Sequence, residues 1–169
     1  MKVIFLDVDG VLNSGETLDL FDEFRVEFLK RIVDATGAKI VLSSSWKSGF
    51  IKDENGVSPC NGYSFLLFNL LMKYGLSLYD VTPNDKNRIR QNEIKQWLSE
   101  HEDVENFVIF DDETTILVDF WETNLIKTSI LDYGVMVTCQ DECTGICEEH
   151  IEPAINILNG NKLVKKRKK

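Results

Sequence analysis

Short apolar segments alternate along the chain with longer segments whose apolar residues recur every three or four positions. The short segments are typical of strands buried on both faces, and they cover residues 2–6, 39–42, 76–81, 106–110, 125–128 and 135–138. The longer segments predict amphipathic helices, at residues 20–36, 63–74, 90–100 and 149–158. This alternation predicts an α/β fold, a three-layer, Rossmann-like parallel sheet with helices on both faces.

The sequence also predicts where the first helix ends, which of its residues are buried, and where Pro153 lies in the last helix. The first helix is expected to stop at Gly37, a residue that readily ends helices. Its buried stripe is expected to contain Phe21, Phe24, Phe28 and Ile32. In the last helix, Pro153 fits only in the first turn, where its missing N–H is not needed. Residues 46–85 are expected to hold little more than a loop and the apolar helix 63–74.

Polar side chains follow three of the predicted strands. They are Asp7 and Asp9 after the first strand, Ser43 to Ser45 after the second, and Asp111 and Asp112 after the strand at 106–110. Ligands of open α/β sheets bind beyond the carboxyl ends of the strands. Carboxylates gathered there repel one another unless a cation lies among them, and oxygen ligands without His or Cys suit Mg²⁺. Lys86, Arg88 and Arg90 precede a helix and offer charge to a phosphate, which completes the outline of a phosphoryl-transfer site.

The order of these groups resembles the four motifs of the haloacid dehalogenase (HAD) superfamily. The segments that carry the resemblance are DVDGVLN, IVLSSSWK, IRQNEIKQWL, VIFDDE, NLIKT and GICEEHIEPAINIL. More narrowly, they are similar to capless members, including the HAD domain of Swiss-army-knife RNA-repair proteins. The resemblance spans residues 2–158. It implies a HAD-like hydrolase domain at residues 1–160. The gaps between the motifs are too short for a full cap domain, and the basic residues 161–169 are expected to form a disordered tail.

The resemblance also implies roles for individual residues. Asp7 would be the nucleophile that takes the phosphoryl group, and Asp9 the general acid and base. Mg²⁺ would be held by Asp7, the backbone carbonyl of Asp9 and Asp112, with Asp111 close by.

Two positions for binding the substrate phosphate stay open between neighbouring residues. Ser43 is expected to hydrogen-bond a phosphoryl oxygen, with Ser44 as the alternative. Arg90 is expected to neutralise the phosphate, with Lys86 as the alternative.

The predicted function is that of a Mg²⁺-dependent phosphatase acting on a phosphate monoester. Asp9 supplies the proton donor that ester hydrolysis needs and that dehalogenases lack at this position. An open site favours a large substrate, such as a nucleic-acid end or a phosphoprotein, although small phosphates stay open. Two alternatives are a phosphoreceiver domain, in which the acidic pair follows the first strand, and a non-catalytic module that binds phosphorylated groups.

Charge and cysteine content narrow the setting of the protein. The formal net charge is −9, yet the terminal sequence NKLVKKRKK is strongly basic. The acidic remainder disfavours a nucleic-acid partner, whereas the basic tail favours one. No apolar run is long enough to cross a membrane, and we expect a reducing, cytoplasmic setting. The oligomeric state is not predicted.

Two further features have a structural and a functional interpretation. The first is a C-x₃-C-x₃-C pattern formed by Cys139, Cys143 and Cys147, with His150 as a possible fourth metal ligand. The spacings of known zinc and iron–sulfur sites differ from this pattern, so we expect ordinary thiols. The apolar helix at 63–74 is expected to belong to the core or to cover the site, with a dimer face as the alternative.

Overall fold

The computed structural model describes residues 1–13, 20–113, 115–128 and 145–161. Its strands are β1 (Lys2–Leu6), β2 (Lys39–Leu42), β3 (Phe50–Asp53), β4 (Gly56–Pro59), β5 (Leu78–Val81), β6 (Asn106–Asp111) and β7 (Leu125–Lys127). Five of them form one sheet in the order β5-β2-β1-β6-β7, and every neighbouring pair is parallel. The predicted parallel sheet is confirmed.

Four helices accompany the sheet: α1 (Glu23–Thr36), α2 (Gly62–Lys73), α3 (Arg90–Ser99) and α4 (Glu148–Leu158). Alternate residues of β1 enter two different hydrophobic clusters, because successive side chains of a strand point to opposite faces. Ile4 and Leu6 pack with buried residues of α1, α2 and α4. Val3 and Phe5 pack instead with Ile94 and Trp97 of α3. The three-layer arrangement is therefore as predicted.

A β-hairpin that was not predicted from the sequence lies between β2 and α2. Strands β3 and β4 pair antiparallel from Phe50 opposite Pro59 to Asp53 opposite Gly56. Gly56 has a φ of 112°, a conformation that suits glycine, and it follows Asn55 as hairpin turns often require. Lys52 in β3 donates to buried Asp80 in β5 at 2.6 Å, which ties the hairpin to the sheet. The described residues contain this small insertion and no full cap domain.

The predicted details of α1 need correction. The helix begins at Glu23 rather than residue 20, and Asp22 before it pairs with Arg25 at 2.6 Å, both side chains being buried. Phe24 is half exposed, whereas the buried face consists of Arg25, Val26, Leu29 and Ile32. The expected stop at Gly37 is confirmed, with a φ of 67°.

The expectation for Pro153 was also wrong. Pro153 lies beyond the first turn of α4, so the carbonyl of Glu149 lacks the usual helical donor. Glu149 is exposed, and the helix continues to Leu158 with its apolar side in the core.

Some expectations fall outside the described residues. The strand expected at 135–138 and residues 162–169 of the basic tail are among them. Within the described part of the chain, no helix combines the length and apolar character needed to cross a lipid bilayer.

Candidate active site

Backbone hydrogen bonds hold the residues after β1, β2 and β6 at one edge of the sheet. The Asp7 N–H donates to the Phe110 carbonyl at 3.0 Å, and the Ser43 N–H donates to the Leu6 carbonyl at 2.8 Å. Each residue thus continues the parallel ladder for one position beyond its strand. Because the backbone is fixed there, the side chains of Asp7, Ser43 and Asp111 have little freedom to move apart.

Three carboxylates meet at this edge. Asp7, Asp111 and Asp112 each offer an oxygen, and these oxygens all lie within 4.8 Å of one another. Asp7 and Asp111 are buried and Asp112 is partly buried. Burial, together with the charge of Asp7, raises the pKa of Asp111 to about 7. Burial, with the charge of Asp7, likewise raises the pKa of Asp112 to about 6. The cluster therefore favours any cation that can enter it.

Arg90, at the start of α3, supplies one such positive charge. Its Nη1 atom donates to Asp7 Oδ2 at 2.9 Å and also to Asp111 Oδ2. Burial opposes the charge of Arg90, but Asp7 and Asp111 outweigh burial and raise its pKa. Burial also raises the pKa of Asp7, against the opposing effects of Arg90, the Ser44 hydroxyl and the Val8 backbone. The guanidinium thus reaches the predicted nucleophile, whereas Lys86 is exposed.

The carboxylate of Asp9 is not part of this cluster of three carboxylates, and two side chains donate hydrogen bonds to it. Trp46 Nε1 donates to Asp9 Oδ2 at 2.8 Å, and Asn13 Nδ2 donates to Asp9 Oδ1 at 3.0 Å. Asn13 in turn accepts the Gly10 N–H at 2.8 Å. Both oxygens of Asp9 are thereby fixed in direction. Neither Trp46 nor Asn13 was singled out from the sequence.

Gly10 lets the loop after β1 lie directly on Asp112. Its φ is 70°, and a Cβ atom built there would stand 2.6 Å from Asp112 Cγ. A side chain at residue 10 would therefore force Asp112 to shift, so glycine suits both the turn and the contact.

The two candidate serines have different surroundings. The Ser43 hydroxyl is buried and has no hydrogen-bond partner among the described residues. The Ser44 hydroxyl accepts the Trp46 N–H at 3.3 Å, and its hydrogen bond to Asp7 lowers the pKa of that carboxyl. An unpaired buried hydroxyl is costly, and a phosphoryl oxygen is a partner that would satisfy Ser43.

A buried ion pair that the sequence analysis missed supports Arg90. Lys47 Nζ lies 2.6 Å from Glu93 Oε2, and both side chains are more than nine-tenths buried. Lys47 also donates to the Pro83 carbonyl at 2.7 Å, and Glu93 accepts the Asp85 N–H at 3.1 Å. Glu93 lies one turn after Arg90 on α3. The pair therefore fixes the loop and the helix end from which Arg90 projects.

The donor set suits a hard divalent cation. Asp7, Asp111 and Asp112 present only oxygen, and a single guanidinium among three carboxylates leaves negative charge to be balanced. Mg²⁺ prefers such ligands and few of them from protein. The residues present therefore fit the predicted metal.

The cysteine pattern gives no metal centre among the described residues. Cys139 and Cys143 lie outside them. Cys147 precedes α4, and its Sγ lies 3.7 Å from His150 Nδ1, while His150 also accepts the Cys147 N–H at 3.2 Å. This is a helix-capping arrangement.

Comparison with known proteins identifies the fold family. Residues 3–135 match the family described as the HAD domain in Swiss Army Knife RNA repair proteins. The chain belongs to this family. Comparisons with curated proteins and with solved structures give no significant match. Membership in the HAD superfamily makes this domain one of hydrolase type.

Proposed function

We propose that this HAD domain is a Mg²⁺-dependent phosphatase that hydrolyses phosphate monoesters through an aspartyl-phosphate at Asp7. The observation that carries the proposal is the contact of Arg90 with Asp7 inside the trio of carboxylates. A buried aspartate that pairs with a guanidinium can stay ionised, and the same arginine can also bind the incoming phosphate.

In the first half-reaction, a carboxylate oxygen of Asp7 forms a bond to phosphorus and the bond to the leaving oxygen breaks. The departing oxygen takes a proton from Asp9. In the second half-reaction, Asp9 removes a proton from water, which attacks phosphorus and releases Asp7 as a free carboxylate with inorganic phosphate. Trp46 and Asn13 orient Asp9 for both proton transfers.

Arg90 and Ser43 would bind phosphoryl oxygens. Arg90 is fixed by its ion pairs, and the buried Ser43 hydroxyl gains the partner that it otherwise lacks. Ser44 stays the alternative to Ser43, and exposed Lys86 the alternative to Arg90.

The metal would be held by Asp7, Asp112 and the backbone carbonyl of Asp9, with Asp111 beside them. When bound, Mg²⁺ supplies positive charge that offsets the carboxylates and the phosphoryl oxygens.

The small insertion between β2 and α2 leaves room for a large substrate, such as a nucleic-acid end or a phosphoprotein, and a small phosphate also fits an open site. The description of the family associates its members with RNA repair, which supports testing phosphorylated oligonucleotides first. We also propose that the protein is located in the cytoplasm.

The test is hydrolysis of 4-nitrophenyl phosphate by the purified protein with Mg²⁺ or with a chelator. Asp7→Asn should abolish the metal-dependent rate, while Asp34→Asn, an exposed position on α1, should not change it. Metal-independent turnover, or turnover that survives Asp7→Asn, would contradict the proposal. A folded protein without turnover would favour the phosphate-binding alternatives, and labelling of Asp7 by acetyl phosphate would then identify a phosphoreceiver.

A further inference from the structure

A surface cavity of about 310 Å³ plays no part in the chemistry described above, and one of its lining residues, Trp46, contacts Asp9. Its walls include Leu20, Trp46, Tyr63, Ser45, Ser48 and Asn61. Trp46 belongs both to this wall and to the hydrogen bond with Asp9 Oδ2. Because Asp9 is the proposed proton donor to the leaving oxygen, Trp46 connects the cavity with the residue that would protonate the leaving group.

Two aromatic rings form the apolar part of the wall. Trp46 and Tyr63 lie with ring centroids 6.2 Å apart and nearly perpendicular planes. Phe21 contacts Trp46 at a centroid distance of 5.5 Å, so the indole is held both by ring packing and by Asp9. Tyr63 is 67% exposed, so most of its surface has no covering group among the described residues.

The rigidity of this wall follows from local packing. Asn61 and Ser64 form a reciprocal capping box at the start of α2, with the Ser64 N–H donating to Asn61 Oδ1 at 3.0 Å. A Cβ atom at Gly49 would stand 2.7 Å from Asn61 Nδ2, so the turn after β2 packs directly on the start of α2. The segment that carries Trp46 and the start of α2 that carries Tyr63 are therefore packed against each other.

The chemistry of the wall indicates what it would accept. None of the described lining residues carries a charge, so a second phosphate or a carboxylate would find no counter-ion there. Serine and asparagine can hydrogen-bond an uncharged polar group, while the indole and phenol faces favour a planar ring.

We infer that this cavity is a leaving-group subsite that binds an uncharged planar ring carried by the phosphate monoester. The inference rests on the proposed function for its orientation relative to Asp9, but binding of a ring can be measured without turnover. Two sources of such a ring are the base of a nucleoside and a phenol.

The test compares adenosine 5′-monophosphate, phenyl phosphate and ribose 5-phosphate, the last of which lacks an aromatic ring. Their affinities are measured by calorimetry on the Asp7→Asn protein with Mg²⁺, so that no turnover intervenes. At least one ring-bearing ester should bind about tenfold more tightly than ribose 5-phosphate, as stacking on an aromatic side chain implies. The tighter of the two identifies the source of the ring.

Variants of Tyr63 decide whether the cavity is responsible. Tyr63→Ala should remove the preference and leave the affinity for ribose 5-phosphate unchanged, whereas Tyr63→Phe, which keeps the ring, should retain it. Phe65→Ala is the matched control, since Phe65 is exposed on the same helix and does not line the cavity. Equal binding of all three esters, no binding of any, or a preference that survives Tyr63→Ala would overturn the inference. The inference would also be overturned if the protein formed a concentration-dependent dimer that Tyr63→Ala dissociates, while the esters showed no ring preference.

Parallel hydrolysis assays on the unaltered protein separate this inference from the proposed function. A ring preference without hydrolysis would keep the subsite and contradict the phosphatase. Hydrolysis without a ring preference would keep the phosphatase and contradict the subsite.

Discussion

Arg90 Nη1 donates to Asp7 Oδ2 at 2.9 Å, although the two residues are 83 positions apart in the chain. Asp7 is fixed by the parallel ladder at the end of β1, and Arg90 by the start of α3. The contact joins the proposed nucleophile to the proposed phosphate-binding cation, and it does so before any substrate is bound.

Replacement of Arg90 should cost more activity than replacement of Lys86. Arg90→Met removes the guanidinium from Asp7 and Asp111, and we expect kcat/KM to fall by about 10²–10³. Arg90→Lys should recover part of that loss, since it keeps the charge but not the forked geometry. Steady-state kinetics with 4-nitrophenyl phosphate measures both. A greater loss in Lys86→Met would reverse the assignment of the two cations.

The stabilising effect of Mg²⁺ should increase with pH. The pKa of folded Asp111 is about 7 and that of Asp112 about 6, both above the usual value of 3.8. The folded protein therefore holds protons more tightly than the unfolded chain. The protonated carboxyls of Asp111 and Asp112 therefore contribute fully to the free energy of unfolding below about pH 4, and this contribution is lost as pH rises through 6 and 7. Metal competes with these protons, so it binds best after they leave.

Thermal unfolding with chelator or with saturating Mg²⁺ checks this expectation. The metal should raise the melting temperature more at pH 8 than at pH 5, and Asp111→Asn should weaken the pH dependence of the metal-free protein. A Mg²⁺ effect that is the same at both pH values would contradict it.

Substitution of Gly10 should separate metal binding from stability. Gly10 and Gly37 both have φ near 70°, but only Gly10 would place a Cβ atom against Asp112, while the space around Gly37 is open. Alanine at either position should cost about 1–2 kcal/mol of unfolding free energy, because left-handed backbone disfavours a side chain. Only Gly10→Ala should also weaken Mg²⁺ binding, by about tenfold or more. Calorimetric titration with Mg²⁺ compares the two variants, and equal affinities would contradict the role of the Gly10–Asp112 contact.

The pair of Lys47 and Glu93 should matter more for stability than a surface pair. Lys47→Met leaves the buried carboxylate of Glu93 without its partner, and we expect a loss of roughly 3–5 kcal/mol in unfolding free energy. The double variant Lys47→Met/Glu93→Leu should recover much of this loss. Lys30→Met is the matched control, because Lys30 and Asp34 pair on an exposed face and should contribute about 0.5 kcal/mol or less.

Denaturant unfolding measures all three variants. A loss in Lys47→Met no larger than that in Lys30→Met would show that the buried pair does not hold the loop before α3.

The sheet and much of the site could be predicted because their signals are local. Strands β1, β2 and β6 are covered on both faces, so each is an unbroken apolar run followed directly by Asp7, Ser43 or Asp111. The shared edge of a parallel sheet then brings these residues together. The hairpin was missed because its strands are short and only Phe50 among their residues is buried, although Asn55 and Gly56 are a recognised turn signal.

The supporting contacts could not be predicted, because they depend on how distant segments fold back. Lys47 follows the serines in the sequence, yet nothing local indicates that it reaches Glu93, and the same is true of Trp46 and Asp9. Phe24 was wrongly placed in the core because several aromatic residues shared its spacing. The packing of α1 instead buries the aliphatic residues Val26, Leu29 and Ile32.

The most direct test of the central claim is to trap the phosphoryl group on Asp7. The protein is mixed with Mg²⁺ and a ³²P-labelled aryl phosphate, quenched in acid during turnover, reduced with borohydride and mapped by mass spectrometry. We predict label on the protein and conversion of Asp7 alone to homoserine, with neither in Asp7→Asn. Turnover at an undiminished rate in Asp7→Asn, or label at another residue, would contradict the account.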